Sequence, residues 1–162
     1  MYLVSELSLI AKEIAEEVGV NGDLVCAIIH VESSWRICAM RYEANYQYTI
    51  DTKKHARFLG ITEATEANLQ KHSYGLMQIM GGTAREFGYK DWLPGLCDPE
   101  EGVVYGCKYL AKMVKKYENV SDQVAAYNAG AARRGADGLY GNQGYVNAVM
   151  AALIYMNPAT RA

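Results

Sequence analysis

Apolar residues in this chain return at steps of three and four, a spacing that lines one face of an α-helix and that no strand can use. The clearest run opens at Asp98-Pro99-Glu100-Glu101, which combines a cap, a first-turn proline and an acid at the third helical position. It continues through Val103, Cys107, Leu110, Val114 and Tyr117, predicting one long buried stripe. Leu3, Leu7, Ile10, Ala11, Ile14 and Val18 keep the same period, with Gly19 as a stop. After the cap-type cluster Asn21-Gly22-Asp23, a second helix is expected from Leu24 to about Trp35.

The remaining segments fit a mainly α chain. Thr62 to Gln70 reads as a short helix, and Thr83 with Glu86 as a capping box for another that ends near Gly88. Ser121 is expected to cap a helix ending at Ala129-Gly130. A glycine-rich loop then leads to a last helix marked by Val146, Val149, Leu153 and Met156. Between Arg41 and Ile61 the periodicity is weak, and Tyr42, Tyr46 and Tyr48 alternate as in a short strand or an ordered loop. His72 to Gly82 reads as an irregular connector. At 162 residues, with no repeat and no linker, the expected organisation is one domain over 1–162.

Composition narrows the function. A net charge of -2 and the lack of a Lys/Arg block make nucleic acid a poor partner. Thirteen Tyr against two Phe provide flat faces that also carry hydroxyls, which suits a sugar-lined cleft, although most single tyrosines in such a set simply sit at helix edges. No stretch approaches the length of a membrane span, and Met1 to Ile10 lacks the pattern of a secretory signal, so membrane insertion is not expected. Synthesis in the cytoplasm followed by release or delivery is the expected route outward. Cys26, Cys38, Cys97 and Cys107 form no CxxC pair and read as mostly buried thiols.

Glu32 lies four residues beyond Ile28 and seven beyond Val25, on their apolar face. Burial disfavours a carboxylate and raises its pKa, which would let this Glu hold a proton and donate it to a leaving oxygen. Near a helix end it could equally turn outward or cap a backbone donor, and face position alone leaves the two readings even.

Four segments decide between them. Glu32-Ser33-Ser34-Trp35, Tyr74-Gly75-Leu76-Met77-Gln78-Ile79-Met80, Ala125-Ala126-Tyr127-Asn128-Ala129-Gly130 and Tyr145-Val146 resemble, in order, the motifs of the lytic transglycosylase domain, which is related to goose-type lysozymes. The resemblance covers roughly residues 20 to 155. It implies a lysozyme-like fold, peptidoglycan glycan strands as the partner, and Glu32 as the catalytic residue. It also implies that Met77, Gln78, Tyr127, Asn128 and Tyr145 line the cleft, with Tyr127 and Tyr145 orienting Glu32 and Asn128 bonding an acetamido group. Ser73 could be a substrate contact or a local turn hydroxyl, whereas Leu76, Ala125 and Ala126 read as packing.

The sequence departs from the family pattern in a longer connection from Trp35 to Gly75. Within it, Arg41-Tyr42-Glu43-Ala44-Asn45-Tyr46 resembles a segment of some phage muramidases. A phage endolysin acting as a monomer therefore fits the pattern. The segment also makes Glu43, or Asp51, a candidate second carboxylate, against the plainer reading that Glu43 pairs with Arg41. No metal and no cofactor are expected, since His30-Val31-Glu32 lacks the rest of a zinc signature and no HExxH occurs.

Overall fold

Helix α2, Gly22–Ser33, is apolar on every side, and Leu24 through Ile29 are all buried. A helix of that kind is stable only when other elements surround it. In the computed structural model, which describes residues 2–156, α1 (Val4–Val18), α6 (Pro99–Lys116), α7 (Val120–Ala129) and α8 (Gln143–Met156) join α2 in one hydrophobic cluster. The packing of α8 on α2 and of α1 on α6 is the most extensive. Met1 and residues 157–162 of the expected 1–162 domain lie outside the described residues.

Local chemistry sets the ends of these helices. Asn21 accepts the Leu24 N–H at 2.8 Å, which starts α2 two residues earlier than the apolar pattern suggested. Asp98 accepts from the amides of Glu100 and Glu101, as its sequence promised. For α7 the cap is Asn119, which accepts the Ser121 N–H, so Ser121 itself is not the cap. The buried stripe of α6 needs a second correction: Val103, Cys107 and Leu110 are fully buried, but the stripe turns to Met113, while Val114 is 37% exposed. Gly102 and Gly106 share that face, and Gly106 leaves room for the Met77 side chain, which an added Cβ would meet at 2.4 Å.

The segment between α2 and α6 builds the second part of the molecule. A three-stranded antiparallel sheet is formed by β1 (Met40–Tyr42), β2 (His72–Tyr74) and β3 (Ile79–Met80), with Met40 opposite Tyr74 and Ser73 opposite Met80. The expected irregular connector is thus a tight hairpin. It was hidden because its strands are two and three residues long. The tyrosine alternation produced only the end of β1; beyond it lies α3 (Thr52–Leu59), which the sequence reading missed. Asp51 precedes α3 in a left-handed conformation without bonding it through its side chain, and Ala56 is its one buried residue, so neither cap nor stripe announced it.

Helices α4 (Glu63–Gln70) and α5 (Gly81–Glu86) and a short 3-10 turn (Leu93–Cys97) complete this part. The Thr83–Glu86 capping box does not form: α5 begins after Met80, Thr83 Oγ1 lies 3.2 Å from the Tyr46 hydroxyl, and Glu86 pairs with Lys112 at 2.8 Å. Tyr74, Ile79, Ala84, Tyr89, Leu93 and Leu96 make a second, smaller core. Beside it Arg85 and Glu66, both wholly buried, form a two-pronged ion pair at 2.8 and 3.0 Å. Gln70 adds a hydrogen bond to Glu66, and Arg85 also donates to the carbonyls of Tyr89 and Asp91. The expectation of mostly buried thiols holds for Cys26 and Cys107; Cys38 is exposed and Cys97 half-buried.

Candidate active site

Both parts of the fold contribute walls to one cleft of about 800 Å³. Glu32 enters it from the last turn of α2, Arg41 and Glu43 from β1 and the turn after it, and Ser73 and Gln78 from the hairpin. Tyr109 of α6 and Tyr127 and Asn128 of α7 line the opposite side.

The chain around Glu32 is held tightly. Ser33 Oγ donates to the Ile29 carbonyl at 3.1 Å, and Arg36 Nε donates to the Ser33 carbonyl at 3.0 Å. Ser34 and Trp35 then take left-handed conformations, with φ of 50° and 65°, and turn the chain away at once. Non-glycine residues adopt that region at a cost that surrounding structure must offset, and such strain concentrates at functional sites.

Glu32 is partly buried, and its Oε1 accepts the Tyr145 hydroxyl at 2.7 Å, a bond joining residues 113 apart in sequence. Its Oε2 has no partner among the described residues. Desolvation raises the Glu32 pKa above the ordinary glutamate value. The Tyr145 hydrogen bond and the positive charge of Arg41 work against that rise, and the negative charge of Glu43 adds to it. Burial and the neighbouring Glu32 push the Tyr145 hydroxyl far up, so it serves as a donor throughout the working pH range.

The other residues singled out in the sequence are placed as follows. Tyr127 lines the cleft, but its hydroxyl donates to the Met77 carbonyl at 2.8 Å rather than to Glu32, and so ties α7 to the hairpin. Burial raises its pKa, with Glu32 as the next cause. Ser73 donates to Gln78 Oε1 at 2.8 Å, while Gln78 Nε2 donates to the carbonyls of Ala39 and Gly75. Gln78 therefore spends both amide ends on its own loop, where its φ of 49° also needs support. Asn128 accepts from Asn142 at 2.9 Å through Oδ1 and has no partner for its Nδ2 among the described residues.

Met77 corrects the expectation. Its side chain is fully buried against Gly106 and does not line the cleft, so its contribution is the carbonyl that holds Tyr127. Gly75 explains why the motif needs a glycine there: its φ is 68°, and a Cβ would lie 2.3 Å from the Leu96 carbonyl oxygen.

Of the candidate second carboxylates, Glu43 lines the same cleft as Glu32 and is paired with Arg41. Asp51 lies in a separate recess with Thr49 and Arg57 and does not line the Glu32 cleft. Sequence reasoning missed Tyr46, Tyr109, Lys112, Lys116 and Arg133, all of which line the cleft. A signal existed in α6, where Tyr109, Lys112, Met113 and Lys116 keep helical spacing; it reads as an ordinary solvent face until the opposite wall is known. Among the described residues, no group of three or more His, Cys, Asp or Glu is placed to hold a metal ion, and no helix is long and apolar enough to cross a membrane.

The Transglycosylase SLT domain family matches residues 10–144, most of the chain, in a span that contains Glu32 and the hairpin and α7 motifs. The chain belongs to this family. Its function is of the lytic transglycosylase type, on peptidoglycan. The mainly helical, lysozyme-like architecture agrees with that membership. Tyr145 falls one residue beyond the matched span, so its link to the SLT domain rests on the hydrogen bond to Glu32. No solved structure matches the chain with significance.

Proposed function

We propose that this SLT domain cleaves the β-1,4 bond between N-acetylmuramic acid and N-acetylglucosamine, with Glu32 acting first as acid and then as base. The observation that carries the reading is the half-buried Glu32 carboxyl, its Oε1 fixed by Tyr145 and its Oε2 without a protein partner at the cleft. Tyr145 donates to Oε1, so Oε2, which has no protein partner, is the oxygen from which a Glu32 proton can reach the glycosidic oxygen of a bound strand. The raised pKa of Glu32, caused chiefly by burial, favours the protonated form that a general acid needs. Once the leaving sugar has taken the proton, the Tyr145 hydrogen bond stabilises the new carboxylate. That carboxylate can then remove the proton of the muramoyl C6 hydroxyl.

Attack of this hydroxyl on the oxocarbenium-like carbon closes a 1,6-anhydro ring. The nucleophile is already tethered to the reacting sugar, so no water need be recruited. The engagement of Glu43 by Arg41 favours this route over one that needs a second carboxylate to activate water. A hydrolytic reading keeps one observation in its favour, namely that Glu43 lines the same cleft.

Two measurements test the assignment. Glu32→Gln is expected to abolish clearing of a cell-wall suspension while the circular dichroism spectrum is retained, and undiminished clearing would refute the role of Glu32. Mass spectrometry of digested glycan is expected to find muramoyl ends one water lighter than reducing ends. Predominantly reducing ends would instead give Glu43 the part of second carboxylate.

A further inference from the structure

The cleft is richer in cations than in carboxylates, although the chain as a whole has a net charge of -2. Arg41, Lys112, Lys116 and Arg133 line it together with Glu32, Glu43 and Glu86. Arg41 is spoken for by Glu43, and Lys112 by Glu86. Lys116 and Arg133 have no carboxylate partner among the described residues.

Both cations line the cleft, one from the last turn of α6 and the other from the loop after α7. Lys116 Nζ lies 5.2 Å from the centre of the Tyr117 ring, and the Tyr117 hydroxyl accepts the Ala132 N–H at 3.2 Å. That bond brings the end of α6 against the loop that carries Arg133. The loop is braced by its own backbone at this point, since Arg133 N–H donates to the Ala131 carbonyl and the Arg133 carbonyl accepts from Gly141. A lysine in the last turn of a helix complements the helix dipole, which would explain Lys115 and Lys116 alone. It does not explain an arginine supplied to the same end by a different element.

A glycan backbone offers hydroxyls and amides, which unpaired cations recognise poorly, whereas the peptide stem on a muramoyl lactyl group carries carboxylates. We propose that Lys116 and Arg133 form a subsite for a stem-peptide carboxylate, which makes peptide-bearing strands the preferred substrate. Arg133 supplies a planar fork that can take both oxygens, and Lys116 a mobile point charge. The subsite rests on the reading of the cleft as the glycan-binding site. Strands stripped of peptide keep a carboxylate of their own, the bare lactyl acid, so the two sources must be separated.

Titration calorimetry separates them, using short uncleaved glycan chains with and without peptide. The proteins compared are Glu32→Gln, which should hold its ligand without turnover, and the same protein carrying Lys116→Gln and Arg133→Gln. The peptide-bearing chain is expected to bind the parent about five- to tenfold more tightly than the stripped one, an advantage weakened by salt. In the triple variant the contrast should shrink to within about twofold. A contrast that survives the two substitutions, or none in the parent, overturns the proposal. An equal loss for both ligands also overturns it and assigns the cations to the lactyl acid. Because binding is read without catalysis, a failure of the transglycosylase reaction would be visible separately in the glycan product masses.

Discussion

Glu32 sets a conflict between folding and chemistry that pH should expose. Its folded pKa is raised, so the stability it lends is fully present below the ordinary glutamate pKa and is lost as pH rises through the folded value. Above that point the protein must keep a charge in a partly desolvated place. Gln at this position has no charge to lose. Glu32→Gln is therefore expected to melt close to the parent at about pH 4 and above it at about pH 8. Thermal unfolding at both pH values checks this, and a constant difference would mean that Glu32 is not desolvated as described. At this scale the sequence was informative about Glu32, whose seven-residue distance from Val25 already put it on a buried face. It could not reveal that Met77 points into the core, because an exposed and a buried methionine look alike until Gly106 is placed opposite.

The elements between α2 and α6 depend on polar burial to a degree that the helical cluster does not. Their own apolar core is small, and the wholly buried Arg85–Glu66 pair ties α4 to α5 while Gln70 ties α4 to Ile50. Removing one partner of such a pair strands the other charge. Glu66→Ala should cost about 3–5 kcal/mol in chemical denaturation. Lys112→Ala, which breaks the half-exposed pair with Glu86, should cost about 1 kcal/mol or less. Comparable losses from the two would show that the interior pair is open to water. Helices α1, α2, α6, α7 and α8 were legible because each carries a stripe or a cap. The sheet and α3 were not, since two- and three-residue strands and a helix with one buried alanine leave no periodic trace.

At the scale of the whole molecule, α2, the hairpin, α6 and α7 wall one cleft and α8 supplies the hydroxyl bonded to Glu32, while among the described residues no group of three or more His, Cys, Asp or Glu is placed to hold a metal ion. Excess chelator is accordingly expected to leave the rate of wall clearing unchanged, and loss of activity reversed by added zinc would overturn this. The bond from Tyr145 to Glu32 reaches across 113 residues, from the start of the final described helix to the end of the second. Because α2 is apolar on every side and packs most extensively on α8, a chain still emerging from the ribosome lacks both the cover of that helix and the hydroxyl that fixes the Glu32 carboxyl until α8 docks. On the proposed role of Glu32, competence to cut the wall is expected late in synthesis, and a chain interrupted before α8 is expected to be inactive.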